Sequence, residues 1–151
     1  MNDFMAKLIF EKLKREFCKE VFEIETVSIQ EPWSFEQICG LVEDGKAVCA
    51  VGLLDGEVVC YYSFYNICDE GYVNNLAVGQ DFRGKGFGAQ LINDIIERAK
   101  SLGVGALTLE VNENNTNAIS LYKKFGFDVE GVRVKFYNGR DDAFIMWKRD
   151  L

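Results

Sequence analysis

Histidine is missing from all 151 residues, and proline occurs once, at Pro32. Without imidazole there is no Ser-His-Asp triad, no Cys-His pair, no HExxH zinc site and no histidine acid or base. Chemistry must come from carboxylates, Tyr, Lys, Cys, backbone amides or a bound cofactor. Positive charge is also scarce: 17 Lys and Arg stand against 24 Asp and Glu, a formal net charge of -7. That balance excludes nucleic-acid binding by counterion release and favours basic partners. No run approaches the ~18 apolar residues of a membrane span, and the start lacks a signal-peptide pattern. The five cysteines (18, 39, 49, 60 and 68) are odd in number and form no CxxC. Neither a disulfide framework nor a zinc ribbon follows, and no metal is expected. Cys39, Cys49 and Cys60 lie in apolar runs and are expected in the core. The expected compartment is reducing and cytoplasmic.

What is present is ordinary for a globular protein, 48% hydrophobic and 27% charged residues. The length suits one domain over 1–151, with no Pro- or Ser-rich linker to divide it. Residues 6–13 read as a first strand. Residues 14–29 carry Phe17, Val21, Ile24 and Val27 at helical spacing, a predicted amphipathic helix. Pro32-Trp33-Ser34 breaks the chain. Ser34 with Gln37 spells a capping box, and Trp33 with Ile38 a hydrophobic staple, so a short helix is predicted over 35–43. Strands follow at 46–54 and 57–67 around Asp55-Gly56, a hairpin turn, and at 70–79, antiparallel across Cys68-Asp69.

From Gly86 to Leu102 the period becomes helical, with Leu91, Ile92, Ile95, Ile96 and Ala99 on one side. Residues 105–112 alternate as a strand, with Leu107, Leu109 and Val111 on one face and Ala106, Thr108 and Glu110 on the other. A helix over 116–125 stops at Gly126. Strands at 127–137 and 142–149 flank Asn138-Gly139. The predicted order, β-α-α-β-β-β-α-β-α-β-β, is a mixed, mostly antiparallel α/β (α+β) sheet of about seven strands with about four helices.

The most informative run is Arg83-Gly84-Lys85-Gly86-Phe87-Gly88, between a strand and the long helix. Alternate glycines reach φ > 0 and let backbone amides approach a ligand. The helix N-terminus adds about half a positive charge. Together they make a pyrophosphate cradle that needs no basic surface. The spacing is neither a P-loop nor a dinucleotide fingerprint, and on its own such a run also serves as a tight strand-to-helix turn.

Arg-x-x-Gly-x-Gly after Asn75-Leu76-Ala77-Val78 resembles the acetyl-CoA signature of the GCN5-related N-acetyltransferase (GNAT) superfamily. A second signature is matched by Leu109-Glu110-Val111-Asn112-Glu113-Asn114-Asn115-Thr116-Asn117-Ala118-Ile119-Ser120-Leu121-Tyr122 and the following Phe125-Gly126-Phe127. Glu31-Pro32-Trp33-Ser34, Phe136-Tyr137 and Asp142-Ala143-Phe144-Ile145-Met146 extend the likeness to the branch that acetylates the N-terminal alanine of a bacterial ribosomal protein. The resemblance covers about residues 20–149. Phe136 stands where the family commonly has a second Tyr, and Arg83 where it often has Gln.

The resemblance implies a GNAT fold, acetyl-CoA as cosubstrate and a protein or peptide N-terminus, of a ribosomal protein, as acceptor. Leu76, Ala77 and Val78 would pair with the pantetheine, while Arg83, Gly84, Lys85, Gly86, Phe87, Gly88 and Ala89 would surround the pyrophosphate. Asn115 would hydrogen-bond the CoA moiety. Glu110 matches the general base and Tyr122 the general acid. Trp33 and Tyr137 would shape the acceptor cleft. Each has a plainer alternative: Glu110 as an outer-face polar residue, Tyr122 as core, Trp33 as a staple and Tyr137 as part of a hairpin.

The residue types suit the reaction. A free α-amino group has a pKa of about 7.7–8.0, against about 10.4 for Lys, so deprotonation costs some 3.5 kcal/mol less. A carboxylate acting through water therefore suffices as base, and the Val78 amide could polarise the thioester carbonyl. Proton transfer from a phenol near 10 to a thiolate near 8.5 is uphill by roughly 2 kcal/mol, so Tyr122 suits hydrogen-bond donation to the sulfur as well as acid catalysis. Two other functions remain open: acetylation of a small-molecule amine, and a non-catalytic acyl-CoA-binding sensor.

Overall fold

Tight turns in the left-handed region fold the middle of the chain into hairpins. The computed structural model describes residues 6–29 and 31–151, so the first five residues of the charged N-terminal segment lie outside the described residues. Strand β2 (Ala47–Leu54) turns into β3 (Glu57–Ile67) through Asp55 and Gly56 at φ 50° and 83°. Strand β3 turns into β4 (Glu70–Val78) through Cys68 and Asp69 at φ 52° and 65°. Two consecutive positive-φ residues match the right-handed twist of the strands they join. With β1 (Ile9–Lys12), β5 (Ala106–Asn112), β6 (Asp128–Tyr137) and β7 (Asp141–Arg149), they form one sheet in the order β1-β2-β3-β4-β5-β7-β6. Every pairing is antiparallel except β4 with β5.

Helices cover both faces. α1 (Cys18–Ser28) and α2 (Phe35–Glu43) pack on one side with Val51, Val58 and Tyr61. α3 (Phe87–Ser101) and α4 (Thr116–Lys124) pack on the other with Val59, Tyr62 and Leu107. Strand β3 is therefore buried on both faces, which explains its continuous apolar run. Leu91, Ile92, Ile95 and Ile96 of α3 are each 5% exposed or less, contributing about 1.5–3 kcal/mol apiece. Ile95→Ala would cost about 2–5 kcal/mol.

The element order matches the sequence expectation, and α2 begins as its motif dictates. The Gln37 amide donates to Ser34 Oγ at 3.1 Å, and the Ser34 amide donates to Gln37 Oε1 at 2.8 Å. Ile38 and Trp33 both pack into the α1/α2 core.

The structure corrects one side-chain expectation and refines two. Val27 is 62% exposed; the buried stripe of α1 is Cys18, Val21, Ile24 and a charged residue, Glu25. On β5 both faces are buried at the base, Ala106 and Thr108 as well as Leu107 and Leu109, and Glu110 is its exposed residue. Cys39 is half-buried, while Cys18, Cys49 and Cys60 are buried. Among the described residues no helix is long and apolar enough to cross a membrane.

Candidate active site

The one parallel pairing among the described residues opens the sheet. The ladder between β4 and β5 runs only over Glu70–Tyr72 and Ala106–Thr108, whereas β4 stays paired with β3 out to Val78. Beyond Tyr72 the strands part, and backbone groups of β4 face the gap. A cavity of about 620 Å³ lies beside this free stretch of β4, lined also by the end of α1, the start of α3 and α4. Of the residues expected around the cofactor, Leu76, Ala77, Val78, Arg83, Gly84, Phe87, Gly88 and Asn115 line this cavity, and so does Tyr122.

The floor of the cavity is a helix start. Gly84 and Gly86 have φ 75° and 84°, and Gly86 occupies the cap position of α3 with no side chain capping it. The first turn of α3 carries no acid, so its amides and the positive end of its dipole are free for an anion. Gly88 has a packing reason: a Cβ there would lie 3.1 Å from Leu121 Cδ2, where α3 and α4 meet.

Three expected cofactor residues do not line the cavity. Lys85 is exposed. Ala89 faces a second cavity with Leu8, Phe10 and Phe125, because one residue past Gly88 the helix has turned by about 100°. Gly86 contributes its turn. Arg83 acts within the protein: Nε donates to the Val78 carbonyl at 3.2 Å and Nη2 to Ser28 Oγ at 2.8 Å. Asn115 caps α4 by accepting the Ala118 amide on Oδ1 at 3.2 Å. Its Nδ2 faces no such duty and suits a ligand carbonyl.

The other side of the opening is built from side chains. Glu110 lies on β5, its side chain one-third exposed, with Arg133 Nε of β6 at 2.8 Å. The Arg133 guanidinium sits 5.5 Å from the centre of the Phe136 ring. Burial pushes the Tyr137 phenol up to about 12, and the negative charges of Glu110 and Glu31 add to the rise. Tyr122 is 9% exposed; burial raises its phenol well above the ordinary value, and Tyr137 adds to it. Tyr137 thus lies within electrostatic reach of Tyr122, Glu110 and Glu31. Glu110 and Tyr137 do not line the cavity, and neither does Trp33, which is half-buried against the α1/α2 core. Ser28 and Ile29, at the end of α1, line it without having been expected there, and neither Arg133 nor Glu25 had stood out. Their sequence distance from the glycine motif left no local signal.

A sheet splayed at its one parallel pair, over an uncapped helix N-terminus, is the architecture of acyl-CoA-dependent N-acyltransferases. The chain belongs to the acetyltransferase (GNAT) family, whose model matches residues 8–127. It is 33% identical over 145 residues to a Bacillus subtilis protein provisionally named a ribosomal protein bS18-alanine N-acetyltransferase, covering 94% of this chain and 95% of that one. The Salmonella typhimurium ribosomal protein bS18-alanine N-acetyltransferase is 31% identical over 129 residues, 83% of this chain and 86% of that one. The crystal structure of the Escherichia coli ribosomal-protein-S18-alanine N-acetyltransferase superposes with a TM-score of 0.87 at 26% identity, over 95% of this chain and 94% of that one.

The family's cosubstrate is acetyl-CoA, and the residues present fit it. Free backbone groups of β4 suit the amides of a pantetheine arm, and the α3 amides suit a pyrophosphate.

Proposed function

We propose that this protein is a cytoplasmic, single-domain enzyme that transfers acetyl from acetyl-CoA to a protein N-terminal α-amino group, that of a ribosomal protein beginning with alanine. The observation that carries this reading is the opening between β4 and β5, flanked by a carboxylate on β5 and a buried phenol on α4.

Acetyl-CoA supplies an activated thioester, so the chain needs to orient it and to handle two protons. Leu76, Ala77 and Val78 hold the pantetheine through their backbone, with the Val78 amide directed at the thioester carbonyl. Gly84, Phe87 and Gly88 present amides to the pyrophosphate. Glu110 takes the proton of the incoming amine through water, and Arg133 fixes that carboxylate at the mouth. Tyr122 keeps its proton, since burial raises its phenol. The gap to a thiolate near 8.5 therefore exceeds the roughly 2 kcal/mol of an exposed pair, so Tyr122 serves as hydrogen-bond donor to the sulfur. Glu31, Tyr137 and Trp33 shape the entrance for a cationic peptide end.

Transfer is direct, in a ternary complex. None of the cysteines lines the cavity. Burial pushes the Cys49 and Cys60 thiols up to about 12 and Cys18 to about 11, the opposite of an activated nucleophile.

The test is mass spectrometry of a cell extract after incubation with the protein and labelled acetyl-CoA. Label on the N-terminal alanine of a small-subunit ribosomal protein is expected. Label confined to lysines or small amines would overturn the acceptor, and acetyl-CoA binding with no acetylated product would make the protein a sensor.

A further inference from the structure

Glu25 is fully buried in α1, on a stripe otherwise composed of Cys18, Val21 and Ile24. Burying a carboxylate is expensive, and an apolar side chain would complete that stripe at lower cost. What the carboxylate does there is visible in its partners. Oε2 accepts the Trp33 amide at 2.9 Å. Oε1 accepts Asn75 Nδ2 at 3.4 Å, and Asn75 Oδ1 accepts the Ser63 hydroxyl at 2.6 Å. One side chain thus joins the connection between α1 and α2 to strand β4.

Both attachment points matter for geometry. Ser63 pairs with Asn75 and Phe64 with Val73, so the β3–β4 register slips by one residue there. Asn75 lies immediately past this slip and immediately before Leu76, where β4 begins to line the cavity. Trp33 belongs to the connection that starts at Ile29, and Ser28 and Ile29 line the cavity. A few residues further along α1, Ser28 receives the second tie, from Arg83, which also holds the Val78 carbonyl. The acceptor-side connection is therefore referenced to the cofactor strand at two points, and the Glu25 point is the buried one.

We propose that Glu25 is a positioning residue for acetyl transfer, fixing the α1–α2 connection against β4 and so setting where the acceptor amine meets the thioester. This rests on the peptide-acceptor reading above. A misplacement of about 1 Å at a reacting centre costs on the order of 100-fold in rate, so a clamp of this kind acts on the acceptor while leaving cofactor binding alone.

Two substitutions separate positioning from mere packing. Glu25→Leu keeps the apolar stripe and removes both acceptors. Glu25→Gln keeps them in neutral form: its amide oxygen can accept the Trp33 amide, and its NH2 can donate to a flipped Asn75, whose own NH2 then donates to Ser63 Oγ. With Glu25→Leu, kcat/KM for an N-terminal alanine peptide should fall about 10- to 100-fold, while the Kd for acetyl-CoA stays within about twofold. Hydrogen exchange at the Trp33 amide should accelerate about tenfold, the worth of one hydrogen bond to a charged acceptor. Glu25→Gln should recover most of both. Unchanged exchange at Trp33, or faster exchange with unaltered peptide kinetics, would overturn the proposal. So would a Glu25→Gln variant as impaired as Glu25→Leu. If the wild type acetylates no peptide, the peptide reading fails by itself, and unchanged Trp33 exchange still overturns the clamp.

Discussion

The two sides of the cavity are made of different materials. On the proposed cofactor side, one continuous run, residues 76–88, supplies about half of the lining and offers mainly backbone: a free strand edge, left-handed turns at Gly84 and Gly86, and uncapped α3 amides. On the proposed acceptor side, Glu31, Glu110, Tyr122, Arg133 and Tyr137 come from separate segments, only Tyr122 of them lines the cavity, and they offer side-chain charge and hydroxyls. In the proposed reading, backbone recognition lets a protein of net charge -7 hold a polyanionic cosubstrate, since the attraction is local to one helix start. The surface charge is then left free to suit a cationic acceptor. The difference teaches that binding and chemistry are separable here, and substitutions should split accordingly.

The largest split should come from Glu110→Gln. Turnover measured by CoA release is expected to drop by 10²–10⁴-fold, the usual worth of a general base, with acetyl-CoA affinity by calorimetry within about twofold of wild type. An equal loss of affinity would break the comparison, because Glu110 would then belong to the cofactor side. Tyr122→Phe should lower kcat by about 10- to 100-fold, as expected for a hydrogen bond to a charged partner, with little change in KM for the peptide. Its pH profile sharpens the point. With both Tyr122 and Tyr137 raised, activity should climb as the α-amine deprotonates near pH 8 and show no fall from tyrosine ionisation below about pH 10. A descending limb below pH 9 would contradict the raised phenols.

Gly86→Ala probes the other side. A side chain at φ 84° costs about 1–2 kcal/mol, and distortion of the α3 start should weaken acetyl-CoA binding by about tenfold while the saturating rate stays close to wild type. A selective loss of kcat would reverse the assignment. The smallest effect is expected from replacing all five cysteines by Ala or Ser. In a variant whose fold is verified by circular dichroism, turnover should stay within about twofold; abolished activity would sink direct transfer.

Legibility followed the same divide. Local rules read the hairpins at Asp55-Gly56 and Asn138-Gly139, the Ser34–Gln37 capping box and the glycine turn before α3, because each depends on residues within a few positions. Periodicity read α3 correctly, since one face of it meets the sheet and the other meets water. It misread α1: Val27 completes the apolar spacing, yet the helix ends at Ser28 beyond the edge of the core, and Glu25 is buried instead because donors from Trp33 and Asn75 converge on it. It also gave no warning of β6, where Val132, Val134 and Phe136 are exposed on an edge strand whose register slips at two places.

The sequence by itself determined the element order, the turns and the chemical exclusions, because steric and pairing preferences act over a few residues and a missing residue type is absent everywhere. Only the tertiary structure decided that β4 and β5 part after three residue pairs, and that Arg83 bonds to Ser28 and Val78. It also decided that Glu110 meets Arg133, and that a buried carboxylate ties two distant segments together. Those contacts depend on how far packed layers and a twisted sheet bring separated residues, and no local pattern carries that distance.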